Sequence, residues 1–392
     1  MKKILIIHHG IGVGGGLIAL LGLIDELKPK NDIKVLCIFN SEAVDYIKKT
    51  GVEVFLPKSK FYKKYYNLFL HSQASYFSLA DLLRNSKNLI SFYFSKYLFA
   101  KYELQQLNFT YDIVYLNSTF ISDWSKTAKG LNKKTIIHIR EPLANGIFGF
   151  RKGIIKRNIA KYCDSVIAIS KDNSKRVGLY DKTTVIYDPV VYKNRGVQGT
   201  INVQSDLKYF LYLGGTLRIK GFEQFVKALP YVDDNVRIFF LGPDHSYSNS
   251  RLDRLFAIFD PFFWKIKTLK NELKNSGKII HVGLVDNIFD YYYNVKAVIS
   301  PFSKPHACLP ILEAFSVSKP VIVSTVSGMD EIVNVYNGIF FKNRKSKKLG
   351  ASINKMATMT NDEYEKMCDS ASSKFKEIML KNGSVQLVID AL

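Results

Sequence analysis

Residues 296–331, KAVISPFSKPHACLPILEAFSVSKPVIVSTVSGMDE, leave few folds open to the chain. Ala297 to Ser300 is a short apolar run rich in β-branched residues and stopped by Pro301, which suits a buried strand of a parallel sheet. Over 311–317, Ile311, Leu312, Ala314 and Phe315 recur at helical spacing, and Lys319-Pro320 ends the helix before a second apolar run at 321–324. The spacing predicts strand, loop, helix and strand, with Glu313 in the first helical turn. In an open α/β sheet such a helix start lies at the carboxyl edge of the strands, where free N–H groups and the positive dipole end favour ligands. A carboxylate there either accepts hydrogen bonds from two adjacent hydroxyls, as a ribose presents, or merely complements the dipole.

The same unit recurs along the chain. Residues 4–9 read as a strand, His9-Gly10-Ile11-Gly12-Val13-Gly14-Gly15-Gly16 as a glycine loop and 17–27 as a helix. Gly14, Gly15 and Gly16 let backbone amides approach a phosphate or a sugar. A nicotinamide site expects an acid at the end of the next strand, but 33–39 runs into Asn40-Ser41-Glu42, with Glu42 late for that role. Strands at 111–116, 135–139, 165–169 and 183–187, with helical segments between them, predict a doubly wound parallel sheet. His138 falls at the end of one of them, either as a satisfied core histidine or as a functional one. Residues 192–205 are polar and patternless and read as a linker. A second sheet starts at 208, where LYLGGTLRIKGFEQFVKAL repeats strand, glycine loop and helix, and strands at 236–241 and 278–282 extend it. Arg218 and Lys220 stand at that helix start, where cations oppose the dipole, and a bound diphosphate accounts for them. Between those strands, 245–274 mixes bulky aromatics with lysine and reads as a membrane-touching element or a lid helix.

Glu313-Ala314, Lys319-Pro320-Val321-Ile322 and Gly328 to Glu331 together resemble the signature of the retaining GT-B glycosyltransferases of the family 4 (group 1) type. The resemblance implies an α/β GT-B architecture, two Rossmann-like doubly wound domains facing a central cleft. It places an acceptor-side domain at 1–191, a linker at 192–205, a nucleotide-sugar domain at 206–361 and a C-terminal helix at 362–392 packing back on the first domain. It also implies a retaining hexosyltransferase that needs no cofactor and no metal, using a nucleotide-sugar donor, a UDP-sugar, and a lipid-linked or surface-polysaccharide acceptor. Glu313 would hold the ribose, Arg218 and Lys220 the diphosphate, and Gly14 to Gly16 with His138 the donor sugar and acceptor side. Gly214, Gly215, His306, Leu309, Pro310 and Glu331 complete the implied donor site. Pro305 and His306 occupy the neighbourhood of the family's first Glu, which holds the donor sugar's hydroxyls, and Gly215 stands where the family has an Arg. No Asp-x-Asp triplet is present, so the basic pair takes over a divalent ion's work. A sugar-nucleotide epimerase of the same architecture and a nucleotide-sugar-binding scaffold that has lost catalysis are the alternatives.

Net charge is +22, which draws a protein to polyanions unless it reflects only the codon bias of a low-GC genome. In an insertion at 58–107, Lys58, Lys60, Lys63, Lys64, Arg84, Lys87, Lys96 and Lys101 are set among Phe61, Tyr62, Tyr65, Tyr66, Phe69, Phe92, Tyr93, Phe94 and Phe99, with only Asp81 and Glu103 opposing them. Such a segment fits an anionic membrane surface, reached through 58–101, or a solvated face of helices packed on the sheet. Without a nucleic-acid-binding motif, nucleic acid is not expected as a partner. Cys37, Cys163, Cys308 and Cys368 are scattered, so neither a zinc site nor a disulfide framework is indicated. With no signal segment and no long apolar run, a cytoplasmic protein peripheral on the inner face of the cell membrane is expected.

Overall fold

The computed structural model describes residues 1–69, 79–191, 201, 203–244, 258–285, 287–305 and 309–392. His306, Cys308, most of the linker at 192–205 and parts of the stretches at 58–107 and 245–274 lie outside the described residues. The chain divides into two compact units. The first holds Met1–Phe77, Asp81–Val191 and Asn382–Leu392, and the second holds Tyr192–Lys381 with Ser78–Ala80.

The first unit is built on strands β1 (Lys2–His8), β2 (Asn31–Cys37), β3 (Glu53–Phe55), β4 (Ile113–Leu116), β5 (Lys134–Ile139), β6 (Ser165–Ala168) and β7 (Thr183–Val185). They form one parallel sheet in the order β3-β2-β1-β4-β5-β6-β7. Strand alternation sends Leu5 and Ile7 to one buried layer and Ile4 and Ile6 to the other. The helix Gly15–Leu27 covers the second layer with Leu17, Leu20, Leu23, Ile24 and Leu27. The second unit repeats the design with β8 (Lys208–Tyr212), β9 (Val236–Leu241), β10 (Ile279–Gly283), β11 (Ala297–Ser300), β12 (Val321–Ser324) and β13 (Gly338–Phe341), in the order β10-β9-β8-β11-β12-β13. Both are Rossmann-like parallel sheets. In each, the strand order reverses once, between β1 and β4 and between β8 and β11, and these switch points open crevices at the carboxyl ends of the strands.

Two sequence expectations shift, and one alternative is decided. The helix Asn361–Lys381 counts with the second unit, because Tyr364 and Met367 pack on that unit's core and Tyr364 Oη donates to the Lys296 carbonyl at 2.7 Å. The segment that returns to the first unit is Asn382–Leu392. Asn382 exchanges hydrogen bonds with the Tyr187 backbone at 2.8 and 3.0 Å, and Val385 and Ile389 enter the layer of Ile4 and Ile6. The helix Pro261–Lys274 covers the second core, which is the second of the two readings of 245–274. Asp260 caps its start, accepting from Phe262 N at 2.9 Å, and Phe262, Ile266, Leu269 and Leu273 form one stripe into the second core. Finally, the helix after β11 starts at Leu309, so Glu313 lies one turn inside it.

In the insertion, the helix Leu79–Phe94 continues through a π turn, Ser95–Phe99, into the helix Ala100–Gln105. Tyr66, Phe69, Phe92 and Phe99 are core residues of the first unit. Glu103, buried, accepts from the backbone N–H groups of Lys58 at 2.8 Å and Ser59 at 3.0 Å and so ties the insertion's beginning to its end. Among the described residues no helix is long and apolar enough to cross a membrane.

Candidate functional site

In the second unit, the loop after β8 and the loop after β11 press together at the switch point. Gly221 makes this possible. Its φ is +84, and a Cβ there would lie 1.5 Å from the Pro301 carbonyl oxygen. Gln224 fastens the same contact by donating to that oxygen. Gly214 and Gly215 are equally crowded, with a Cβ on Gly215 falling 2.1 Å from the Pro243 oxygen. An arginine at 215 is therefore sterically excluded. Arg218, three residues on in the 3₁₀ turn Arg218–Lys220, places its guanidinium over the Phe262 ring at 5.1 Å, with Nη1 3.5 Å from Asp260.

Lys220 points the other way. Its ammonium stands 4.8 Å from the centre of the Phe302 ring, and Gly214, Lys220, Ser300, Phe302 and Pro310 line one small depression. Glu313 is buried behind it. Tyr292 donates its hydroxyl to Glu313 Oε2 at 2.7 Å and also to the Pro310 carbonyl at 3.2 Å. Burial raises the Glu313 carboxyl above its usual range, while the Tyr292 hydrogen bond and the Lys220 charge pull it back. Position one turn into the helix removes the reading of Glu313 as a dipole complement, since that effect fades beyond the first turn. Leu309 opens this helix and is buried, and Glu331 sits in the 3₁₀ turn after β12, one strand away from the switch point. The structure thus brings together Gly214, Lys220, Pro310 and Glu313, and turns Arg218 toward Asp260.

In the first unit the glycines divide their work. Gly10 and Gly12, with φ of +72 and +57, make the turn, whereas Gly14 is extended and Gly15 and Gly16 already belong to the helix. Beside them lies a polar cluster of which the sequence reading named only His138. Register puts Ile7 opposite Leu116 and Leu116 opposite Ile137, so His8, Asn117 and His138, each one residue further on, meet at the ends of β1, β4 and β5. Asn117 links His8 Nδ1 at 3.1 Å to Arg140 Nε at 2.7 Å, and Arg140 pairs with buried Asp188. Arg140 also reaches the glycine loop, its Cδ lying 4.0 Å from where a Cβ on Gly16 would be. His138 Nδ1 meets the Tyr115 hydroxyl at 2.5 Å. Burial, reinforced by the Arg140 charge, holds both His138 and His8 well below the ordinary histidine range, so both rings are neutral at pH 7. Their Nε2 atoms and Arg140 Nη2 are buried without a partner among the described residues. Glu141 follows, accepting from Ser118 Oγ at 2.9 Å and from Thr119 Oγ1 at 3.0 Å. Burial pushes its carboxyl up to about 7. The strings HHG and IIHIREPL carried the signal for this cluster, but only register assembles it. Among the described residues no group of three His, Cys, Asp or Glu could hold a metal ion.

Comparison with known proteins agrees with this fold. Residues 198–375 match the family model of the glycosyl transferases group 1. Over the full length of both chains the fold matches the crystal structure of HepE from Anabaena in complex with UDP and glucose, at 14% identity and a TM-score of 0.73. It also matches the sucrose-phosphate synthase of Thermosynechococcus elongatus, at 15% identity and a TM-score of 0.63 with 96% of this chain and 95% of that chain covered. TarM of S. aureus, in complex with fondaparinux, alpha-GlcNAc-glycerol and UDP, is similar at 12% identity and a TM-score of 0.66, covering 99% and 98%. No curated protein matches the chain in sequence. Residues 198–375 are thus similar to the glycosyl transferases group 1, within a chain whose two-unit fold is that of the GT-B glycosyltransferases.

Proposed function

We propose that this chain is a metal-independent glycosyltransferase that moves a sugar, with retention, from a UDP-sugar to a lipid-linked or surface-polysaccharide acceptor at the inner face of the cell membrane. The observation that carries this reading is that Lys220 and Glu313 lie at the same β8/β11 switch point, close enough for the Lys220 charge to act on the Glu313 carboxyl. Glu313 supplies a carboxylate to the ribose hydroxyls, with Tyr292 fixing its orientation. Lys220 supplies positive charge to a diphosphate whose negative charge grows as the bond to the sugar breaks, a task that otherwise falls to a divalent ion. In the first unit, neutral His138 and the glycine loop face the sugar and acceptor side, because a neutral imidazole can hydrogen-bond a hydroxyl without opposing positive charge developing on the sugar. UDP bound in HepE and TarM supports the uridine donor, and the string from Glu313 to Glu331 supports retention through its likeness to the retaining subgroup.

Thermal unfolding with UDP-, GDP- and ADP-glucose tests the donor. A nucleotide sugar at a hundred times its Kd stabilises the native state by about 2.7 kcal/mol, so the UDP-sugar should raise the melting temperature and the others should not. Unchanged melting with all three would remove the reading. Transfer from the stabilising donor to a lipid extract, with the anomeric configuration of the product read by NMR, tests acceptor and retention.

A further inference from the structure

The continuous helical segment from Leu79 to Gln105 is apolar on two opposite sides. One side, with Phe92, Phe99 and Leu104, is in the core of the first unit. The other exposes Ile90, Tyr93, Tyr97 and Leu98, with Ile90 at 72%. A helix that needs only one apolar neighbour has a polar far side, whereas here four large apolar residues share that side with Lys96 and the exposed Lys101. The π turn sharpens the effect. It fits an extra residue into one turn, so the consecutive residues Tyr97 and Leu98 both face outward while Ser95 and Phe99 stay buried.

Cations from three elements converge on this exposed stripe. Lys126, from the helix Ser125–Gly130, holds its ammonium 3.8 Å from the Tyr97 ring centre. Lys96, from the π turn, stands 5.1 Å from the Tyr162 ring and 5.9 Å from Tyr93 and Tyr97, and Lys161 stands 5.5 Å from Tyr162. The three lysines are close enough that Lys126 and Lys161 make protonation of Lys96 harder, beyond the effect of its burial. Like charges held together over aromatic rings have a use when an anion covers them.

We propose that this face docks the first unit on an anionic phospholipid bilayer, with Ile90 and Leu98 entering the acyl boundary, Tyr93 and Tyr97 at headgroup depth, and Lys96, Lys126 and Lys161 on lipid phosphates. Tyrosine rings beside lysines would also suit single-stranded nucleic acid, but the aliphatic side chains between them offer nothing to a stacked base. A second copy of the chain is disfavoured by the charge, since apposing two +22 molecules through their lysine clusters is repulsive. The inference is independent of glycosyl transfer.

Flotation of the full chain with vesicles of phosphatidylcholine alone, or of phosphatidylcholine mixed with phosphatidylglycerol, tests it without nucleotide or glycan. The expected result is flotation with the anionic vesicles, weakening as salt rises because the attraction is screened. Lys126→Ala combined with Lys161→Ala should lower the partition about thirtyfold. Ile90→Ser combined with Leu98→Ser, at exposed positions that leave the core intact, should abolish the salt-resistant fraction. Equal binding to neutral and anionic vesicles, no binding to either, wild-type flotation by both double variants, or retention on a single-stranded polynucleotide without flotation would overturn the proposal.

Discussion

At Gly221 a left-handed backbone and a 1.5 Å approach to the Pro301 oxygen coincide. Gly221→Ala should therefore destabilise the second unit by about 3 kcal/mol or more, the left-handed penalty adding to overpacking, seen as a lower urea midpoint at constant slope. Glu313→Gln keeps an acceptor for Tyr292 but discards the charge, so UDP should bind about tenfold more weakly with unaltered melting. Asp123 gives a pH prediction. It is buried, accepts from the Tyr66 hydroxyl at 3.1 Å, and burial pushes its carboxyl from 3.8 up to about 7. A carboxyl raised on folding favours the folded state while it is protonated, so this contribution is lost as pH rises from about 4 to about 7. Asp123→Asn should flatten that decline by about 3 kcal/mol, measured as urea stability at pH 5 and pH 8. The positions of Lys220 and Glu313 beside one switch point were legible in the sequence, because a local string marks each. Asn117, Arg140, Glu141 and Asp188 were not, because what joins them is the register of β1, β4 and β5 and a long reach to Asp188.

Elements with a strong period were read within a few residues, and those that failed have identifiable causes. Glu53–Phe55 is too short to show alternation. Gly338–Phe341 opens on a glycine that hides its strand character, yet a Cβ there would come 2.7 Å from the Val321 oxygen, so the close strand pairing itself requires glycine. Leu309-Pro310 belongs to the helix it precedes in the sequence reading, because proline is tolerated in a first turn that lacks hydrogen-bond partners. The insertion's anchor is testable at this scale. Glu103→Ala leaves the Lys58 and Ser59 N–H groups without their acceptor, and hydrogen exchange over 58–66 should quicken by about tenfold or more while the sheet strands exchange as before.

At the scale of the whole molecule, the second unit is inserted into the first. The chain leaves the first unit after Val191 and re-enters it at Asn382. A chain ending at Lys381 should lose stability in its first unit, where Val385 and Ile389 leave a layer containing Ile4 and Ile6, and keep the melting of its second unit unchanged. Differential scanning calorimetry would show one transition lowered and one retained. The insertion also dictates an order of manufacture. During translation, the roughly 190 residues of Tyr192–Lys381 emerge before the strip that finishes the first unit. At about 5–20 residues per second this is a delay of roughly 10–40 s. Throughout that interval β1, the first strand made, has no cover from Val385 and Ile389, and the domain begun first is the one completed last.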